Sequence, residues 1–548
     1  MKFTRREILT AFLGAPFALA ACRTENRLDN VSGEIVGASI DLGHRLRDGG
    51  LNGAEIPFDH WEQKKVVIVG GGAAGLAAAW KLQKQGFNDF VLLELESAAG
   101  GTARSGESTV GKFPWGAHYL PVPAKENVEL IALLNEMNLL EGANAKGEPV
   151  VAEQFLCREP EERTFYKGRW YEGTYLRTGA SEDDLRQLNA FQQEVNRWVA
   201  WRDDAGRRAF TIPVAACSTD AFAIELDKIS FADWLKSKNL DSPRLLWWCD
   251  YACRDDYGLK LEQTSAWAGL FYFCSRVPAA GEESAAFITF PEGNGRFVNF
   301  LHNAARDQIR LGQAAFEIVP TANGVDVLVF DQTTNTMRGI HAEQVIFAAP
   351  VFLTKHLIRD FRQNAPAYIG EFEHNAWFVA NLTLRDRPKN RFRRDFPLSW
   401  DNVIYESPSL GYVNSTHQRE IDYGSAIFTY YFPMCELGAD AKTGRERLFS
   451  FDWQACADIV LSDLSRAHSD IRNLTERIDV MRWGHAMISP RPGFLWSGAR
   501  AAAAAPYRNI HFAHSDLSGV ALFEEAFDQG LRAAREIIAT VKPLWATK

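Results

Sequence analysis

Residues Lys65–Glu96 read "KVVIVGGGAAGLAAAWKLQKQGFNDFVLLELE", and this stretch decides the fold. Val66–Val69 is an unbroken β-branched run, as expected of a strand buried on both faces of a parallel sheet. Gly70, Gly72 and Gly75 then form GxGxxG, Ala73–Gln83 is a run of helix formers, Gly86 supplies a stop, and Phe90–Leu93 is a second strand. Gly70 permits the tight turn, Gly72 lets the backbone approach a pyrophosphate, and Gly75 lets the helix pack close to the sheet. The first helical residues, Ala74 among them, offer unpaired N–H groups to the anion. Glu94 ends the second strand nineteen residues after Gly75, placed to accept hydrogen bonds from an adenosine ribose. A lone GxGxxG carries little weight; strand, glycine turn, helix, strand and terminal acid in one unit predict a dinucleotide-binding βαβ.

Around this unit, 548 residues with 46% hydrophobic content provide for more than one domain. A mixed charge pattern and a net value of -9 argue against non-specific nucleic-acid binding. With 16 Trp and 36 Phe, the chain can also line a pocket with aromatics. None of the eight cysteines forms a CxxC pair or a metal-ligand cluster; Cys249 and Cys253, four apart, read as small buried residues. At the start, "TRREILTAFLGAPFALAAC" (Thr4–Cys22) joins basic residues to an apolar run, 11–21, too short to span a bilayer. From Arg23 to Glu62 the chain is polar and Gly-rich, a tether in which "GEIVGASI" either forms a short strand or docks on the body.

"TRREIL" resembles the twin-arginine export motif, and "LAAC" (Leu19–Cys22) resembles the lipobox of bacterial lipoproteins. Together they imply export by the twin-arginine translocase, a lipid anchor at Cys22 and a periplasmic, membrane-held protein. "ESAAGGTARSG" (Glu96–Gly106), following Glu94, resembles the second flavin motif of the flavin amine oxidase superfamily, which includes amine oxidases, protoporphyrinogen oxidases and phytoene desaturases. Gly100 and Gly101 fit that motif; Thr102 replaces its arginine, and Arg104 is the substitute for the phosphate or flavin contact. "FPWGAHYLP" (Phe113–Pro121) resembles the segment beside the flavin, with Pro114 in place of an acid. Trp115, Gly116, Ala117 and His118 then become flavin contacts, as does Phe316 further on. "EGNGRFVNFLHNAA" (Glu292–Ala305), Val325–Pro350 and "NIHFAHSDLSGVALFEEAFDQGLRAAREI" (Asn509–Ile537) resemble later family elements. In the last, Ser515 or Asp516 replaces the usual ribityl-binding acid, and a helix beginning near Gly519, with Ala521 in its opening, aims positive potential at the ring. The resemblance implies noncovalent FAD and an α/β fold. Its Rossmann-like FAD-binding domain is assembled from 63–124, 290–355 and 482–548. An α+β substrate domain, 125–289 and 356–481, is inserted; 1–21 is the signal peptide and 22–62 the tether.

Amine oxidases of this superfamily place a lysine on the strand after the element that here ends at Pro350. Here the strand is "NAWFVANLTLRDRP" (Asn375–Pro388), the lysine position falls near Ala380 or Asn381, and the strand has none. Candidate catalytic residues are His118, Trp377 as a cage wall, His485 in "RWGHAMISPRPGFLW" as an acid or base or a structural histidine, and Asp256. Asp255 and Asp256 either hold a cationic amine or cap the turn at Gly258. Trp267, Phe271 and Tyr272 either line a pocket or pack as core. The expectation is an FAD-dependent oxidoreductase that removes two electrons from a small amine-like substrate and passes them to a quinone or oxygen. The alternatives are a desaturase or porphyrinogen-oxidase-like enzyme on apolar substrates and a flavin-bearing electron-transfer protein of the envelope.

Overall fold

The computed structural model describes residues 30–51, 56–419, 421–437 and 440–541; the leader and Cys22 lie outside the described residues. Two sheets organise the chain. The first has seven strands, running from Ile309–Leu311 through Phe90–Glu94, Trp61–Val69 and Thr336–Phe347 to Val325–Asp331 and Gln313–Pro320. Ile510–Phe512 pairs parallel with Val345–Phe347. The central pairings are parallel and the outer hairpin strands antiparallel. Val66, Val67 and Ile68 are fully buried, as the β-branched run demands.

The glycine-turn helix, Ala73–Lys84, packs on this sheet, and the C-terminal helix Phe523–Val541 packs on it in turn. A Cβ at Gly530 would lie 2.1 Å from the Ala74 carbonyl oxygen, so the small residues of the C-terminal helix set its close approach. A Cβ at Gly75 would meet the Gly70 carbonyl oxygen at 1.9 Å, which makes glycine obligatory there. The C-terminal helix starts at Phe523, later than Gly519, because Gly519 (φ 79°) closes a short turn over Ser515–Leu517.

The second sheet has eight strands, in the order Ser32–Gly37, Thr475–Ile488, His374–Leu384, Ala426–Pro433, Tyr412–Asn414, Asp401–Ile404, Glu162–Tyr166 and Arg169–Glu172. It departs from the sequence reading in two places. In the segment read as a tether, "GEIVGASI" takes the short-strand alternative, with Ser32–Gly37 pairing parallel with Arg477–Arg482, whereas the helix Ile40–Arg47 was not expected. Leu46 and Leu51 bury against Phe316, Leu328 and Phe330 of the first sheet, apolar anchors that a polar average hides. The final domain piece also begins later than 482, because the strand Thr475–Ile488 runs through that boundary within the second sheet. Helices Glu182–Ala200, Phe231–Ser237, Pro243–Tyr257 and Ala266–Cys274 form a further aromatic-rich layer. Cys249 and Cys253 are buried free thiols in it. No described helix is long and apolar enough to cross a membrane.

Candidate active site

Two adjoining cavities lie where the sheets meet. The larger, about 380 Å³, follows the glycine turn. Gly70, Gly72 and Ala74 line it, with Glu94, Gly101 and Thr102. The helix Ala73–Lys84 has no side-chain cap, so its first N–H groups face this space without a partner from the chain. A Cβ at Gly72 would touch nothing within 4 Å. Here the backbone itself is the wall, as a pyrophosphate requires. Glu94 accepts from the N–H groups of Gly71 (2.7 Å) and Glu96 (2.8 Å), which fixes its carboxylate at the cavity edge. Burial pushes the Glu94 carboxyl above its usual range.

At the far end of the same cavity, Ser515, Asp516 and Ala521 contribute. Asp516 is buried and accepts from the Val351 N–H (2.9 Å), and its other oxygen faces His374 Nε2 (2.9 Å) and His514 Nδ1 (3.0 Å). Although burial opposes ionisation, these two histidines hold its carboxyl well below the usual range. The cradle fits a dinucleotide from an uncapped helix start to an anchored acid. It also has a lid: Gly43, Leu46 and Arg47 of the N-terminal helix line it, and the N–H and hydroxyl of Ser39 donate to the Glu96 carboxylate (2.7 and 3.1 Å).

The smaller cavity, about 140 Å³, shares Thr102, Ala117, Trp483 and Ala521 with the larger. Its aromatic wall comes from three adjacent strands, with Trp377 opposite Trp483 and Tyr431 one strand over. Trp483 Nε1 donates to the Trp115 carbonyl (2.7 Å), and the Tyr431 hydroxyl donates to the Gly116 carbonyl (2.9 Å). A Cβ at Gly116 would lie 2.3 Å from the Thr102 carbonyl oxygen, which is why the loop closes so tightly. His118 sits among Tyr119, Trp400 and Tyr431, with ring centroids 5.0–5.3 Å away. Burial lowers its imidazole to about 4, so it is neutral at pH 7.

Asp255 and Asp256 end the helix Pro243–Tyr257, which Gly258 (φ 61°) terminates by its own left-handed conformation. Neither acid caps the turn. Asp256 is locked to Arg276 (2.8 Å), its carboxylate already compensated, so of the two it is not the free charge. Asp255 lines the small cavity and, among the described residues, makes no ion pair. Burial, followed by the neighbouring Asp256 charge, raises its carboxyl.

Several expected positions lie elsewhere. His485 lines the larger cavity, stacked on Phe352 at 4.2 Å, and not the smaller one. Arg104 reaches neither cavity; its guanidinium sits 5.5 Å over the Trp483 ring, steadying that wall from behind. Trp115 is buried behind the wall, with only its carbonyl engaged there. Phe316 packs into the cluster beneath the N-terminal helix. Trp267 and Phe271 are core, whereas Tyr272 faces a side chamber that also holds Glu162, Asp255 and Asp401. The C-terminal helix does not present a bare positive end. Glu524 and Glu525 fill its first turn, and burial pushes them up to about 7 and about 8. Sequence reasoning missed Trp483, Tyr431, Arg276 and His374. The near-continuous apolar and aromatic run "AIFTYYFP" (Ala426–Pro433) was the available signal for the buried strand that carries Tyr431.

The sequence profile of the family described as flavin containing amine oxidoreductase matches residues 73–538. Among solved structures, wild-type putrescine oxidase bound to putrescine superposes with a TM-score of 0.64 at 18% identity, covering 87% of this chain and 100% of that one. Cyclohexylamine oxidase from Brevibacterium oxydans IH-35A gives 0.60 at 16% identity, covering 88% and 100%. A fatty acid isomerase from P. acnes that produces CLA gives 0.58 at 14%, covering 88% and 99%. A Baeyer-Villiger monooxygenase, peniC, from Penicillium patulum is 63% identical over 38 residues; that match spans 7% of this chain and only 6% of the monooxygenase.

Proposed function

From the premise that this chain belongs to the flavin containing amine oxidoreductase family and carries FAD noncovalently, we propose that it oxidises a small amine-like substrate in the 140 Å³ cavity. Bound FAD supplies the two-electron acceptor. The residues supply the rest. The uncapped helix at Gly72, Glu94 and the anchored Asp516 hold the dinucleotide. Trp377, Tyr431 and Trp483 exclude water and orient the reacting C–N bond. His118, held neutral, offers a hydrogen-bonding ring nitrogen at the cavity wall. The observation that carries the reading is Asp255, a half-buried acid with no ion pair among the described residues, lining an aromatic cavity. An ammonium group satisfies both features, the acid by charge and the rings by cation–π attraction.

One observation favours a second reading. No lysine lines the cavity, and at the expected position Asn381 is engaged with the Pro114 carbonyl (3.1 Å) and Thr429 (2.6 Å). A desaturase or porphyrinogen-oxidase-like reaction on an apolar substrate needs no such base. Anaerobic bleaching of the flavin across amines, porphyrinogens and polyenes separates the two: the amine reading expects reduction by amines, and reduction by non-amines alone refutes it.

We further propose that the protein is exported folded by the twin-arginine translocase, is anchored by lipid at Cys22 on the periplasmic side, and is reoxidised by a quinone or oxygen. "TRREIL" and "LAAC" support the route, and a cofactor bound inside the fold gives a physical reason to export the chain already folded.

A further inference from the structure

A third cavity, about 650 Å³, lies outside the small one and shares Pro121, Arg276 and Glu524 with it. Its wall carries Arg202, Arg207, Arg208 and Lys125 in addition to Arg276. Two of these charges are engaged by acids, Arg207 with Asp203 (2.8 Å) and Arg276 with Asp256 (2.8 Å). Arg202 and Arg208 form no ion pair among the described residues, yet an antiparallel bridge sets them directly opposite each other. Like charges so placed repel. Each guanidinium is held only by backbone carbonyls: Arg202 donates to Val199 and Trp201, Arg208 to Cys274 and Val277. Burial, followed by the Arg202 charge, holds the Arg208 guanidinium below its usual range.

Three of the chamber's lining residues also carry buried donors left unpaired. Ser275 Oγ, Arg276 Nε and Arg208 Nε are buried atoms without a hydrogen-bond partner. Ser275 and Arg276 are only 9% and 7% exposed, so solvent does not satisfy them. Leaving such groups unpaired is costly, more so for charged ones. Three acids also line it: Glu126 is exposed, Glu148 is engaged by Asn144 (2.7 Å), and Glu524 is buried, its carboxyl pushed up to about 7.

We propose that this chamber binds the anionic group of the substrate, a carboxylate, so that the molecule oxidised is charged at the end remote from the reacting bond. Two guanidiniums on paired residues match the oxygens of a carboxylate, and Pro121, Arg276 and Glu524 line both spaces, so the chamber adjoins the reaction cavity. This assignment rests on the small cavity being the site of oxidation and is independent of whether an amine is what reacts there. A phosphate presents similar oxygens, so the test separates a substrate tail from a free inorganic anion.

The test titrates the FAD-loaded protein with hexanoate, hexanamide, acetate and inorganic phosphate, reading binding by calorimetry and the visible spectrum of the flavin. Hexanoate is expected to bind at least about tenfold tighter than hexanamide, equivalent to about 1.4 kcal/mol, and to perturb the flavin spectrum as its tail enters the small cavity. Arg202→Gln, at an exposed position, should weaken hexanoate alone. Arg202→Gln with Arg208→Gln should abolish the preference while leaving hexanamide binding and FAD content unchanged. Equal binding of hexanoate and hexanamide, or a preference that survives the double substitution, overturns the proposal. Tight phosphate or acetate binding with no spectral response to hexanoate assigns the chamber to a free anion and also overturns it. None of these readouts uses turnover, so a failure of the amine reading is scored separately by bleaching.

Discussion

At the scale of single residues, the site depends on charges that burial has displaced. Asp255 ionises later than an ordinary aspartate because both burial and Asp256 oppose its charge. An ammonium substrate bound by this carboxylate should therefore bind better as pH rises through the raised value. Asp255→Asn should lower kcat/KM for amines by about tenfold or more and remove that rise, which steady-state pH profiles measure. Glu525 gives a matching effect on stability. It is fully buried, and its carboxyl is pushed up to about 8. Between the usual carboxylate range and pH 8 the native state keeps a proton that the unfolded chain has lost. Its contribution is thus complete at low pH and is lost as pH rises through about 8. Glu525→Gln keeps an acceptor for the Val214 N–H (2.7 Å in the native chain) and should flatten the fall in Tm from about pH 5 to 8. An unchanged slope would place that fall on other groups.

At the scale of elements, the glycine-turn unit was legible in the sequence almost residue for residue. The helix read as Ala73–Gln83 runs Ala73–Lys84, and the strand read as Phe90–Leu93 runs to Glu94. Local chemistry dictates that unit: β-branched strand, glycine turn and helix formers are contiguous. The aromatic wall was legible only through Trp377. Its other members sit on strands paired across long sequence separations, and which face of a strand meets a cavity depends on that register. The helix of the N-terminal segment was missed for a different reason. The segment's average is polar, while a few apolar residues, Leu46 and Leu51 foremost, anchor its helix. Residues Ser32–Leu51 bridge the second sheet and the first across the dinucleotide cavity. Deleting residues 30–51 should speed FAD release about tenfold in a fluorescence-followed dilution, and Leu46→Ala should do so in part as the helix loosens. Release as slow as in the intact chain would show that the segment does not retain the cofactor.

At the scale of the whole molecule, the chain combines a dinucleotide cradle, a small aromatic cavity and a basic chamber that share lining residues in turn. The leader adds the expectation of a membrane surface: Cys22→Ser should release the protein from membranes, and unchanged membrane association would refute the lipid anchor. The central claim is that the 380 Å³ cavity holds FAD without a covalent bond, and Gly72 tests it most directly. Its φ of -72° suits any residue, and a Cβ there meets nothing within 4 Å, so Gly72→Val should fold. By contrast, Gly75→Ala drives a Cβ against the Gly70 carbonyl oxygen and should disrupt the unit itself. The measurement is FAD released per chain on denaturation, with the fold checked by circular dichroism. The account predicts one released FAD per wild-type chain and little or none in a folded Gly72→Val. A full complement of FAD in Gly72→Val, or flavin that stays attached to the denatured wild-type chain, would contradict it.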